Sequence, residues 1–167
     1  MTMTPGYRKL ALTAHVSASV GWIGAVAGFL VLAIAGVTSK DAQTVRAAYL
    51  AMDLIAWFVI VPLAFASLIT GLSQSLGTTW GVFRHYWVVA KLGLTVFATI
   101  VLLVKMEPIS YLAGAAVSGT LVHGALRAVR VQLVVHAAGG MLVLFVATVL
   151  SVFKPWGMTP YRRPGQR

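Results

Sequence analysis

Four ionisable side chains lie inside long apolar stretches of this sequence, where a charge is costly unless it is paired, neutral or able to reach the membrane surface. They are His15, Asp53, Lys91 and His136. An imidazole can bind a metal or haem iron, and a carboxylate can orient that imidazole by accepting its second N–H. An ammonium can donate to anionic or carbonyl groups. These four residues are therefore the first candidates for a functional site.

The depth of these residues, counted from the ends of the apolar runs, divides them into two layers. His15 and Lys91 each lie about five residues from the predicted cytoplasmic end of their run. Asp53 and His136 each lie about six residues, roughly 9 Å, from the predicted outer end. Depth therefore permits His15 to lie near Lys91 and His85 in an inner layer, and Asp53 to lie near His136 in an outer layer.

The outer layer predicts a site for a metal or a haem. Asp53 would fix the tautomer of His136 and raise its basicity as a ligand. His123 would supply a second ligand, and Arg127 and Arg130 would pair with haem propionates. The alternative is a buried Asp–His pair that only holds two helices together, because interhelical hydrogen bonds are frequent in membrane bundles.

The inner layer is less distinctive. His15 heads a line with Ser19 and Trp22, beside a stripe of small residues that would let another helix or a flat macrocycle approach closely. We expect His85 at the membrane interface and Lys91 to extend to lipid phosphates.

The histidines of the first and last predicted spans, His15 and His136, are predicted to be too far apart to share one iron. The depth assignment separates His15 from His136 by roughly 20 Å along the membrane normal. Gly139-Gly140 offers a close approach beside His136. A haem would therefore occupy one layer, or two haems would lie near the two faces.

The composition indicates the class of protein that must position these residues. The 167 residues are 59% hydrophobic and 10% charged, against roughly 25% charged in soluble domains, and the mean hydropathy is +0.90. The absence of cysteine excludes disulfides, thiolate metal sites and thiol catalysis. The net charge of +10 comes from basic residues beside apolar runs, so we assign it to lipid contacts and topology rather than to nucleic acid.

The apolar runs predict an all-α four-helix bundle that forms a single transmembrane domain over residues 1–167. The predicted spans are residues 10–36, 47–72, 86–104 and 131–153, and residues 105–130 are predicted to form an external loop with no more than an interfacial helix. Pro62 should kink the second span. An aromatic and basic turn that includes Arg84 is typical of a cytoplasmic hairpin, and the 13 basic residues divide eight to five in favour of cytoplasmic N- and C-termini.

Conventional enzyme chemistry has little support in the sequence. The three acidic residues leave no carboxylate dyad. There is no serine elbow, phosphate-binding loop or metalloprotease helix motif.

Three segments carry a resemblance to known proteins: AHVSASVGWIGAVAGFLVLAIAG, SLITGLSQSLGTTWGVFRHYWVVAKLGLT and VQLVVHAAGGMLVLFVATVLSVFKPWGMTP. Together they resemble a bacterial family of four-helix membrane proteins of unknown function, which is distantly similar to the copper resistance protein D family and to four-helix membrane b-type cytochromes. The resemblance implies a bundle in the bacterial plasma (inner) membrane with histidines on its first and last helices. These would be His15 and His136, as candidate haem or copper ligands.

Three functions remain open. The leading hypothesis is a haem b-binding redox protein that passes electrons between a quinone or partner protein and an acceptor. Its ligands and contacts would come from nine residues: His15, His136, His123, His85, Asp53, Arg84, Lys91, Arg127 and Arg130. The first alternative is a copper-handling protein that combines the histidines with Met52, Met106 or Met141. The second is a non-catalytic accessory subunit, in a homo-oligomer or a larger membrane complex.

Overall fold

Long apolar helices account for nearly all of the residues that the computed structural model describes, which are residues 4–77, 85–120 and 126–153. The helices are α1 (Pro5–Thr38), α2 (Ala42–Ile55), α3 (Val61–Gly77), α4 (Tyr86–Ser118) and α5 (Arg127–Phe153). A π-helical turn (Ala56–Ile60) joins α2 to α3 without a break. The second span therefore consists of α2, the π turn and α3, and the described residues form four helices long and apolar enough to cross a membrane. The predicted all-α four-helix bundle is confirmed.

The helices pack as a four-cornered bundle. Both α1 and α4 pack against the second span and against α5, so α1 and α4 occupy opposite corners. The core between them contains Trp22, Phe29, Tyr49, Met52 and Leu112, among other buried side chains. Many large apolar side chains point outward instead, as expected for helices whose outer faces contact lipid rather than water.

The third span is longer than the sequence analysis predicts. Its predicted end at residue 104 and the predicted external loop at 105–130 are wrong, because α4 continues to Ser118. The reason is burial at helical spacing: Ile109, Leu112 and Ala116 all belong to the core cluster. Pro108 lies inside this helix, where it removes one backbone donor that a packed membrane bundle can do without.

A glycine ends α4. Gly119 has a φ of 74°, in the left-handed region, and its N–H donates to the carbonyl of Ala115. A side chain would strain this conformation, whereas glycine adopts it freely. The connection to α5 is therefore short, and α5 begins at Arg127.

The second span begins at a capped residue. The Asp41 carboxylate accepts hydrogen bonds from the hydroxyl and the N–H of Thr44, at 2.6 and 2.9 Å, and from the N–H of Gln43 at 3.3 Å. The bonds from Thr44, followed by the bond from Gln43, lower the pKa of Asp41. This cap starts α2 about five residues before the predicted start of the span.

The π turn precedes Pro62, the residue predicted to kink this span. The N–H of Val61 donates to the carbonyl of Ala56, five residues earlier, which is the wider spacing of a π turn. Local π turns can compensate for the backbone donor that a proline lacks. The turn lies between Asp53 and α3, and the indole N–H of its Trp57 donates to Ser110 of α4.

Candidate functional site

His15 is fixed in one orientation by groups on α3. Its Nδ1 lies 3.1 Å from the carbonyl oxygen of Ser67 and 3.1 Å from Oγ1 of Thr70. The Thr70 hydroxyl itself donates to the carbonyl of Ala66 at 2.6 Å, so its oxygen is available as an acceptor. Because a carbonyl oxygen can only accept, these contacts assign the proton to Nδ1 and leave Nε2 as the acceptor.

Lys91 of α4 occupies the other side of the imidazole. Its Nζ lies 3.1 Å from Nε2 of His15 and donates to it. The structure thus brings together the two residues that the depth assignment places in one layer. The prediction that Lys91 extends to lipid phosphates is wrong, because its ammonium points into the bundle at His15. The contact joins α1 to α4 across the diagonal of the bundle.

Close packing between α1 and α3 holds this pair in place. A Cβ built on Gly71 would lie 3.0 Å from Cε1 of His15, so the imidazole rests against bare backbone at this position. On either side, Ser19 and Ser67 share a hydrogen bond of 2.9 Å, and the Gln74 amide donates to the carbonyl of Ala11 at 2.8 Å. The imidazole is therefore held by a polar seam between the two helices.

The His15–Lys91 pair faces a cavity of about 760 Å³ between α1, α3, α4 and α5, which we call the His15 cavity. Its volume lies within the range of about 300–1,000 Å³ typical of ligand sites. Its lining includes the cation Arg8, the indole of Trp87 and the hydroxyl residues Thr148 and Ser151. No acidic side chain lines it among the described residues.

His136 lines a second cavity, of about 330 Å³, which we call the His136 cavity. The Nδ1–H of His136 donates to the carbonyl of Gln132, one turn earlier, at 2.6 Å. Lys105 is the other ionisable residue of the lining, and Gly139 and Gly140 leave part of the wall without side chains. The rest of the lining is apolar, so this cavity differs in polarity from the His15 cavity.

The predicted pairing of Asp53 with His136 is wrong. The Asp53 carboxylate instead accepts a hydrogen bond of 2.6 Å from the hydroxyl of Ser110, and the Ser110 oxygen accepts one of 3.2 Å from the indole N–H of Trp57. Because α4 continues past residue 104, Ser110 lies beside the second span and supplies the partner that Asp53 requires. The Asp53 side chain therefore joins two helices and does not orient His136.

Arg130 also has a structural partner rather than a cofactor-facing position. Its Nε–H donates to the hydroxyl of Tyr49 at 2.9 Å, its Nη2 donates to the carbonyl of Gly36, and its guanidinium lies 5.5 Å from the Tyr49 ring centroid. Arg127, at the first position of α5, is exposed. Arg130 thus ties α5 to α1 and α2.

The remaining predicted site residues contribute less. His85 precedes α4 as its N-cap residue, and its ring centroid lies 6.3 Å from that of Trp87. Arg84 and His123 lie outside the described residues. The polar face of α3 was not predicted, although Ser67, Thr70 and Gln74 recur at helical spacing, which indicates that they lie on one face of the helix.

The described residues do not supply a pair of axial ligands for one haem b. His15 and His136 line different cavities, and the Nε2 atom of His15 is occupied by Lys91. No group of three or more histidine, cysteine, aspartate or glutamate side chains in the described ranges could hold a metal ion.

Copper coordination by histidine and methionine does not fit these positions either. Met52 and Met106 are buried in the hydrophobic core, and Met141 packs against that core. None of the three lines the His15 cavity or the His136 cavity. The thioethers therefore do not meet the imidazoles at a common cavity.

Comparison with known proteins leaves the resemblance noted above as a prediction. No protein-family model, curated protein or solved structure matches this chain.

Proposed function

We propose that this chain is a multi-pass membrane protein that binds a quinone in the His15 cavity and presents it to a redox partner, as a subunit of a membrane electron-transport complex. The observation that carries this proposal is the position of Lys91. An ammonium has three N–H donors, and within the described part of the chain the only acceptor for them is Nε2 of His15. Lys91 lines the His15 cavity, so its remaining donors are available to a ligand bound there.

The lining of the cavity supports a ligand that offers oxygen acceptors on a flat, apolar body. A quinone ring has two carbonyl oxygens that accept hydrogen bonds and carries no positive charge. Lys91 would donate to one carbonyl, while the Ser67 carbonyl fixes His15 and His15 in turn fixes the direction of the ammonium. The absence of a carboxylate in the described lining disfavours a cationic ligand.

Quinone titration monitored by tryptophan fluorescence tests this proposal, because Trp22 and Trp87 both line the cavity. We expect saturable quenching of the detergent-solubilised protein. Lys91→Met should weaken binding by about tenfold or more, since a hydrogen bond from a charged donor contributes about 1.5–3 kcal/mol. Lys40→Met is the matched control, because Lys40 is exposed and lies outside the helices. Equal affinity of the Lys91 variant and this control would refute the proposal.

A haem b held by His136 alone is the second candidate. It is favoured by the hydrogen bond from Nδ1 to the Gln132 carbonyl, which leaves Nε2 as the ligating atom, and by the bare backbone at Gly139 and Gly140. Haem would supply one-electron chemistry when bound. Its test is a visible spectrum of the oxidised and reduced protein: a Soret band that His136→Ala removes and His15→Ala preserves would support it.

A further inference from the structure

The two cavities adjoin each other along the bundle axis. Trp22 and Leu144 line both of them. On α1 the His15 cavity is lined from Arg8 to Ile23, and the His136 cavity from Trp22 to Phe29. The cavities therefore follow one another along α1 and meet at the buried indole of Trp22.

The helices α4 and α5 show the same order of the two cavities. On α4, residues 87–95 line the His15 cavity and residues 97–109 line the His136 cavity. On α5, which runs antiparallel to α1, residues 144–152 line the first and residues 133–144 line the second. The lining residues of α1, α4 and α5 thus all place the two cavities end to end. This is the arrangement expected of one slot that narrows at Trp22 and Leu144.

We propose that the two cavities form one continuous slot and that the ligand is a quinone with a long prenyl tail. The head group lies at the His15–Lys91 pair, and the tail passes Trp22 into the His136 cavity. This inference rests on the proposed function, because it requires the head group to occupy the His15 cavity.

The polarity of the two parts supports this assignment. The polar groups that could recognise a head group concentrate in the His15 cavity, whereas the His136 cavity is lined mainly by aromatic and aliphatic side chains. A mainly apolar cavity of about 330 Å³, such as the His136 cavity, favours a hydrocarbon chain as its occupant. The side chains of Val135 and Phe97, which line it, are 62% and 57% exposed on the lipid-facing surface. A tail could therefore enter sideways from the bilayer.

The helical rise predicts the tail length that matters. His15 and Trp22 are seven residues apart on α1, which corresponds to about 10 Å. Trp22 and Phe29 are separated by about the same distance again. A tail shorter than about 10 Å should stay within the His15 cavity, and only a longer tail should gain contacts beyond Trp22.

The test compares two quinones with the same ring, one bearing a methyl group in place of the tail and one bearing several prenyl units. Gly140→Leu places a side chain in the His136 cavity, where a Cβ at this position meets nothing within 4 Å. Gly28→Leu on α1 is the matched control, because it also has open space around its Cβ and lines neither cavity.

We expect Gly140→Leu to weaken the long-tailed quinone by at least tenfold, the loss that corresponds to about two methylene groups deprived of buried contact. The short-tailed quinone should bind Gly140→Leu and Gly28→Leu with the same affinity, which also shows that both variants fold. An equal effect of Gly140→Leu on both quinones, or an effect on neither, would overturn the inference while leaving the proposed function intact.

Three further outcomes separate this inference from its competitors. If Lys91→Met binds both quinones as tightly as wild type, the proposed function fails and the inference fails with it. If phosphatidylglycerol in mixed micelles displaces the long-tailed quinone and phosphatidylcholine does not, the slot holds an anionic phospholipid and the inference is overturned. A Soret band that Gly140→Leu removes would assign the His136 cavity to haem and would overturn it as well.

Discussion

Substitution of Gly36 by alanine should destabilise the bundle, because the end of α1 is packed directly against a fixed aromatic ring. A Cβ at this position would lie 2.8 Å from Cζ and 2.9 Å from Oη of Tyr49. Tyr49 is only 1% exposed, and its hydroxyl accepts a hydrogen bond of 2.9 Å from Arg130. The ring therefore cannot move away without breaking that bond.

The size of the effect follows from one favourable and two unfavourable contributions to the free energy of folding. Alanine in place of glycine favours a helix by about 1 kcal/mol. Overpacking of a tight contact costs about 1–3 kcal/mol, and a disrupted hydrogen bond to a charged group costs about 1.5–3 kcal/mol. The clash dominates, and we expect Gly36→Ala to lower the free energy of unfolding by about 2 kcal/mol. For a chain of this size that corresponds to a decrease in Tm of about 4–8 °C.

Thermal unfolding in detergent, followed by circular dichroism, measures this difference. Gly28→Ala is the matched control on the same helix, since a Cβ there meets nothing within 4 Å, and it should be at least as stable as wild type. In a double-mutant cycle, Tyr49→Ala should remove most of the cost of Gly36→Ala, because it removes the atoms that clash. If Gly36→Ala unfolds at the same temperature as Gly28→Ala, the packing argument is refuted.

Three smaller perturbations test other parts of the structure. Gly71→Ala should displace the imidazole on which quinone binding depends and weaken the quinone up to about tenfold, whereas Gly93→Ala, which has open space around its Cβ, should leave the titration unchanged. Asp41→Ala should lower Tm at neutral pH, because it removes the cap of α2. The capping bonds lower the pKa of Asp41, so the difference in Tm between variant and wild type should narrow below about pH 4, where the carboxylate becomes protonated. A difference in Tm that is independent of pH would contradict this. Ser110→Ala should cost about 1–3 kcal/mol in the free energy of unfolding, because it leaves the half-buried carboxylate of Asp53 without its donor; unchanged stability would contradict this.

The inner layer shows how far sequence reasoning can reach in a membrane helix. Depth within an apolar run is set by helical rise alone, so residues on different helices can be compared before any packing is known. Such a comparison places His15 and Lys91 in one layer and so permits the contact that the structure shows. Depth does not reveal the direction around the helix axis in which a side chain points. Whether the ammonium points at the imidazole or toward lipid therefore depends on the packing of the bundle.

The prediction for the outer layer is wrong because the end of the third span was placed at residue 104, whereas α4 continues to Ser118. Lys105, Glu107 and Pro108 resemble the end of a span, and for this reason the predicted third span ends at residue 104. The spacing of Ile109, Leu112 and Ala116 is nevertheless that of a buried helix face. Once the helix continues, Ser110 becomes available to Asp53, and the carboxylate no longer needs His136.

The two cavities could not be predicted from the sequence, because they depend on how the side chains of four helices pack and leave space between them. The apolar character of the helices is visible in the composition, but the shared boundary at Trp22 and Leu144 is a property of the packed bundle. The polar face of α3 is the feature of the sequence that indicates a cavity, because Ser67, Thr70 and Gln74 are polar and disfavour contact with lipid.

The most direct test of the central claim is the infrared spectrum of a quinone bound at saturating concentration, with one ring carbonyl labelled with ¹³C at a time. If Lys91 donates to the head group, one carbonyl stretch should lie at lower wavenumber than in the free quinone and should return toward the free value in Lys91→Met. The Lys40→Met spectrum should match wild type. Identical carbonyl bands in wild type and Lys91→Met would contradict the assignment of the head group to the His15–Lys91 pair.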